Sequence, residues 1–282
     1  MSATAIRRLE LPLRESIPVL GQGTAGMGED PERWDAEVAA LQLGLDLGMT
    51  LVETAEMYGD GAAEELVGDA VDGRRDDVFL VTKVGPAHAS RREISVACEQ
   101  SLRRLRTEWI DLYLLHGRGF ELPDETLEGL DDLLRTGKIS FFGVSLYSVA
   151  DLEELVEVRD GVHVQTDEVP YNLKRRGIEL DLLPWCRAGG IPVMACSPLE
   201  HGELLGDPAL RRVAQRHGAT PAQVALAWLI GQPGVGAVAR AATPDHVQEN
   251  RGALDLHLTQ EDFAELDRSF PLQMQSRPAE LR

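Results

Sequence analysis

A (β/α)8 TIM barrel is the fold class this 282-residue sequence predicts. Three observations predict it. Strand-length apolar runs alternate with helix-length amphipathic stretches, and the alternation repeats eight times. Most of the runs are apolar at every position, so both of their faces are buried, as in a parallel sheet. No Pro/Gly/Ser-rich linker or step in composition interrupts the series, which gives one domain over residues 1–282.

The strand candidates, in order, are "VLGQG" (19–23), "TLVE" (50–53), "VFLVTK" (78–83), "DLYLLH" (111–116), "ISFFGVS" (139–145), "VHVQTDEV" (162–169), "IPVMACS" (191–197) and "VGAVAR" (235–240). Between them, stretches such as "RWDAEVAALQLGLDLG" (33–48) and "ISVACEQSLRRLR" (94–106) carry apolar residues at helical spacing. A doubly wound open sheet is the competing architecture. Its phosphate fingerprint is missing, because "GQGTAGMG" contains G-x-G but no helix pattern begins directly after it.

Composition narrows the partners. The formal charge of −19 is spread along the chain and disfavours nucleic acid and anionic membrane, both of which require a basic patch. Every apolar run is too short to span a bilayer, and residues 1–15 carry charges where a secretory leader needs an apolar core. Three cysteines, Cys98, Cys186 and Cys196, form no CxxC or metal-ligand pattern and fit a reducing compartment. The expectation is a cytoplasmic protein, monomeric or weakly homo-oligomeric, acting on a small molecule.

In a barrel of this kind, chemistry sits where strands end and their loops begin. Those positions hold Glu53 and Tyr58, Lys83, His116, Ser145, Glu168, Cys196 and Arg240. Lys83 is one of three lysines among 28 basic residues, which marks a place that wants a compact charge. A phenol titrates near 10 in water. An ammonium beside it favours the phenolate, a carboxylate keeps the ammonium charged, and an imidazole orients a carbonyl. Acid, phenol, cation and imidazole together make a general-acid device for reducing a carbonyl by hydride. Cys196 carries two readings, a thiolate nucleophile activated by a nearby cation or a small apolar filler.

The chain resembles the aldo-keto reductase family over nearly its whole length. The resemblance rests on "ETAEMYG" (53–59), "LVTKVGP" (80–86), "DLYLLHG" (111–117), "GKISFFGVSLY" (137–147), "EVPYNLKRRGIE" (168–179), "MACSPLEHGELLG" (194–206) and "TPDHVQEN" (243–250), in family order. It implies a barrel that binds NADP(H) without a Rossmann domain. Tyr58 would be the proton donor, Lys83 and Glu53 its tuning pair, and His116 the partner that orients the carbonyl. Ser145, Glu168 and Cys196 would meet the nicotinamide. Ser197, Leu199, Gly202, Arg240, His246, Glu249 and Asn250 would hold the adenosine and phosphate end, where Arg240 suits a 2′-phosphate.

Departures from the family pattern cluster at the nicotinamide end. Glu53 replaces an aspartate, Leu146 an asparagine, Glu168 a glutamine and Cys196 a tyrosine. Ala25 and Gly117 stand where related sequences carry tryptophans that wall the substrate pocket, which predicts a wider cavity and a bulky substrate. Three other readings follow: a lyase, isomerase or cyclase built on the same acid–base groups; a reductase biased toward alcohol oxidation by Glu168; and a non-catalytic ligand-sensing barrel.

Overall fold

The computed structural model describes residues 6–119, 123–158 and 164–272. Eight parallel strands close into a barrel: β1 (Leu20–Gly23), β2 (Leu51–Glu53), β3 (Phe79–Val84), β4 (Ile110–His116), β5 (Ile139–Ser145), β6 (Asp167–Pro170), β7 (Val193–Cys196) and β8 (Val235–Arg240). β8 pairs with β1, so no strand edge is left open. Helices α1 (Trp34–Asp46), α2 (Ala62–Ala70), α3 (Arg91–Leu105), α4 (Pro123–Arg135), α5 (Val149–Val158) and α6 (Leu182–Ala188) follow the first six strands in turn. After β7 come α7 (Pro208–His217) and α8 (Pro221–Ile230), and after β8 come α9 (Pro244–Gly252) and α10 (Gln260–Ser269).

Local chemistry fixes the helix ends. Ser90 accepts the N–H of Glu93 at the start of α3, and Thr220 with Gln223 forms a reciprocal cap on α8. Pro221 and Pro244 occupy first-turn positions, where a missing N–H costs nothing.

Successive strand residues point to opposite faces, and the interior set follows from that period. Leu51, Val81, Leu112, Leu114, Met194 and Val238 pack together inside the barrel with Phe79 and Phe141. The alternate set, including Val52, Leu80, Tyr113, Val144 and Ala195, packs outward against the helices. Gly21 makes room for the interior layer, since a Cβ there would lie 2.6 Å from the Leu51 side chain. The interior is a filled core with no pore.

Two strands are shorter than their apolar runs. β7 starts after Pro192, which has no N–H for the ladder, and stops before Ser197, whose φ of 48° leaves the strand conformation. β6 begins only at Asp167, and residues 162 and 163 of its predicted run lie outside the described residues. A hairpin of Arg8–Glu10 with Ser16–Pro18, which the periodicity did not announce, lies across the N-terminal ends of the strands. There Leu11 is buried, and Gln165 accepts the backbone N–H of Leu13.

Candidate active site

Two residues beyond the interior leucine layer, the inward phase reaches the strand ends. That step places Glu53 after Leu51, Lys83 after Val81, His116 after Leu114 and Cys196 after Met194. Register pairing sets Ser145 beside His116 and Glu168 beside Ser145. Strand period therefore gathers the predicted groups at one barrel mouth. Tyr58 comes from the loop after β2, and Glu56 steadies that loop by accepting the Gly85 N–H at 2.6 Å.

Lys83 is fully buried and is the hub. Its Nζ donates to Glu53 Oε1, to the Tyr58 hydroxyl oxygen at 3.0 Å and to the Thr54 carbonyl at 3.4 Å. It also lies 3.1 Å from Glu168 Oε1. The Tyr58 hydroxyl in turn donates to Glu53 Oε1 at 3.1 Å. One oxygen of Glu53 thus holds both the ammonium and the phenol. The Lys83–Glu168 pair was not anticipated. Its signal in the sequence was the matching inward phase of the two strand ends.

The expectation that the ammonium acidifies the phenol does not hold in the resting site. Burial holds Tyr58 well above the usual phenol range, and the Glu168 and Cys196 groups push it the same way. Lys83 is in contact, but its single charge already faces two carboxyl groups. Tyr58 therefore keeps its proton. The imidazole of His116 stands edge-on to the Tyr58 ring, 6.0 Å between centroids. Burial and Lys83 push its pKa down to about 3, so it is neutral and is not a proton-sharing imidazolium. The Cys196 thiol is raised by burial and by Glu168, which removes the nucleophile reading and leaves the filler.

Glu168 is buried, and burial raises its pKa despite the opposing pull of Lys83. Its second oxygen, Oε2, has no partner. Ser145 donates to the Glu168 carbonyl at 2.9 Å. Leu146 adopts φ of 64°, a left-handed conformation that asparagine accepts readily and leucine does not. Next to Glu168, Asp167 falls on the outward phase and is also buried, with no side-chain partner and only the Tyr147 backbone set against its burial. Burial raises its pKa far above the carboxylate range. An acid inside an apolar strand run was the available signal, and it passed without a reading.

The phosphate-end residues form a second group across the mouth. Ser197 and Leu199 are half-buried, Gly202 is exposed, and their loop is anchored from below. Asn172 donates to the Ser197 carbonyl at 2.9 Å and to Glu200 at 2.7 Å, while Arg175 grips Glu200 through Nε and Nη2. Asn172, Arg175 and Glu200 are supports that the motif matches contained but did not assign. Arg240 is exposed at the end of β8 against Gly26, with no ion pair among the described residues. His246 is exposed in the first turn of α9, Glu249 is half-buried and Asn250 is buried. An exposed guanidinium with no ion pair among the described residues, and orphaned buried atoms at Glu168 Oε2 and His116 Nδ1, fit a long ligand with an anionic end and an amide end.

A cavity of about 860 Å³ opens beside Leu146, lined also by Tyr147, Val169, Leu173, Ile178 and Phe270. Ala25 and Gly117 do not border it. Ala25 faces solvent, and Gly117, at φ of 101°, is buried in the tight turn that ends β4.

A closed parallel barrel with a buried acid–phenol–ammonium cluster and a neutral imidazole at its C-terminal rim defines a class of acid–base enzyme. The comparisons with known proteins make it specific. Residues 19–270 match the model of the aldo/keto reductase family. Methylglyoxal reductase YeaE of Escherichia coli (strain K12) is 46% identical over 261 residues, 91% of this chain and 92% of that protein. Glyoxal reductase of Bacillus subtilis (strain 168) is 30% identical over 254 residues, 89% and 88% of the two chains. A crystal structure of an aldo/keto reductase from Klebsiella pneumoniae in complex with NADP and acetate superposes with a TM-score of 0.95 at 43% identity, covering 99% of this chain and all of that one. The chain belongs to the aldo/keto reductase family and is an oxidoreductase of that family. Among the described residues, no helix is long and apolar enough to cross a membrane.

Proposed function

We propose that this chain is an NADP(H)-dependent reductase of carbonyl compounds in which Tyr58 donates the proton. The observation that carries this reading is the 3.0 Å contact from Lys83 Nζ to the Tyr58 hydroxyl, with Glu53 on the other side of both groups. Tyr58 keeps its proton in the resting site and so has one to give. As that proton moves to a carbonyl oxygen, the ammonium stabilises the phenolate that develops, a charge absent from the ground state. His116, neutral, donates an N–H to the same oxygen and orients it. Glu53 must release the phenolic hydrogen bond for transfer to occur, which makes its position part of the barrier.

The cofactor, when bound, supplies the hydride. Ser145, Glu168 and Cys196 would meet its nicotinamide, and Ser197, Leu199, Gly202, Arg240, His246, Glu249 and Asn250 its phosphate and adenosine end. Arg240 favours a 2′-phosphate and hence NADP(H). Small 2-oxoaldehydes are within the substrate range on the strength of the relatives' names, methylglyoxal and glyoxal reductases. The cavity beside Leu146 is lined by none of Tyr58, Lys83 and His116 and adds no argument for a bulkier carbonyl.

The test follows the absorbance of the reduced cofactor with methylglyoxal and a set of larger aldehydes and ketones. Tyr58→Phe is expected to lower kcat/KM by about 10²–10⁴. Equal, non-zero rates for the two proteins would remove Tyr58 from the reaction. A cofactor that binds but is never oxidised would return the lyase or isomerase reading. Because His116 titrates near 3, kcat/KM should show no inflection from it across about pH 5–8.

A further inference from the structure

One ammonium and two acids meet beneath the barrel mouth, and their charges do not balance. Lys83, Glu53 and Glu168 are all buried, and both acids contact the same Nζ. The two acids are not equivalent. Glu53 Oε1 also receives the Tyr58 hydrogen bond, so a carboxylate there has two donors. Glu168 has the 3.1 Å contact through Oε1 alone, and its Oε2 is buried without a partner. Of the two, Glu168 is the costlier to hold as an anion.

Among the described residues, no other charged or titratable group packed around Glu168 relieves it. Cys196 on β7 is a thiol, and Tyr58 from the loop after β2 keeps its proton. His116 on β4 is neutral imidazole. Asp167 on the same strand is a further acid on the opposite face. Burial raises the Glu168 pKa, with Lys83 opposing only in part.

We propose that Glu168 rests as a protonated carboxylic acid and releases that proton when the oxidised, cationic nicotinamide occupies the mouth, so that this residue sets the preference between oxidised and reduced cofactor. The proposal rests on the NADP(H) reading above. As an acid, Glu168 offers one donor and one acceptor, the complement an amide side chain would offer a carboxamide. As a carboxylate, it offers a charge opposite to that of the oxidised ring. The balance is simple: NADP⁺ with the neutral acid gives the NADP⁺–carboxylate complex and one proton in bulk solvent. NADPH, whose ring is uncharged, releases none from this residue.

Calorimetric titration of the full chain with NADP⁺ and with NADPH, at a series of pH values and in buffers of different protonation enthalpy, tests it. Titration of the phosphates is common to both cofactors and cancels in their ratio. The affinity for NADP⁺ relative to NADPH is expected to rise with pH, by up to about tenfold per unit for one linked proton. Proton release close to one per NADP⁺ should accompany it. In Glu168→Gln the ratio should be flat and the release lost. A wild-type ratio that does not change with pH, or a slope that survives in Glu168→Gln, overturns the proposal and leaves the cofactor reading standing. Failure of both cofactors to bind overturns the cofactor reading and this proposal with it.

Discussion

The two sides of the barrel mouth treat charge in opposite ways. Around Lys83, an ammonium, two carboxyl groups and a phenol are packed out of solvent and bonded to one another. Around Arg240, a guanidinium and the first turn of α9 face water with no ion pair among the described residues. The first side is assembled before any ligand arrives, as a catalytic group must be if reorganisation is not to add to the barrier. The second waits for a partner to supply its anion. Under the proposed function, β2, β3, β4 and β6, with Cys196 of β7, would carry the reaction, and the loop after β7, β8 and α9 the recognition.

The largest test of that division removes the hub. Lys83→Met leaves Glu53 and Glu168 buried without their cation. It is expected to cost about 3–5 kcal/mol of stability, read by denaturant unfolding, and to lower the turnover number by about 10²–10⁴. Arg240→Ala should act on the other side alone. NADPH affinity should fall by about 1.5–3 kcal/mol in a binding titration, with kcat and thermal stability almost unchanged, because a charge-assisted bond to ligand is lost and nothing internal is exposed. If Arg240→Ala instead lowered stability as much as Lys83→Met, the contrast between a closed and an open side would fail.

Two smaller substitutions sharpen the closed side. The folded-state pKa of Asp167 is raised, so the folded chain binds a proton that the unfolded chain has already lost. Stability therefore declines as pH rises above the ordinary carboxylate range. Asp167→Asn should raise Tm by about 3 °C at pH 8, with a smaller gain at pH 5, in scans at both values. Leu146→Asn relieves the left-handed strain at φ of 64° and should stabilise by about 1 kcal/mol in denaturant unfolding.

Much of this was legible in the chain because a strand repeats every two residues. A barrel filled inside and covered outside forces apolar residues at both phases, and any ionisable residue at the end of such a run stands out. That is how Glu53, Lys83, His116 and Glu168 were found. Asp167 was visible by the same rule but sits on the other phase, facing away from the site. What the sequence could not carry is the meeting of three ionisable groups from three separate strands. The resting state of Tyr58 follows first from its burial and then from Glu168, and only closure of the barrel brings the two acids to one ammonium. The cavity beside Leu146 was equally out of reach, since it is framed by three loops and the end of α10.

The N-terminal hairpin gives this arrangement a kinetic consequence. It stoppers the base of the barrel, and the leucine layer fills the shaft above it, so water approaches Lys83 and Glu168 from the rim alone. A molecule seated in that rim becomes the gatekeeper of every proton below it. The proton that Glu168 exchanges with solvent therefore has to leave by the same rim through which the ligand enters.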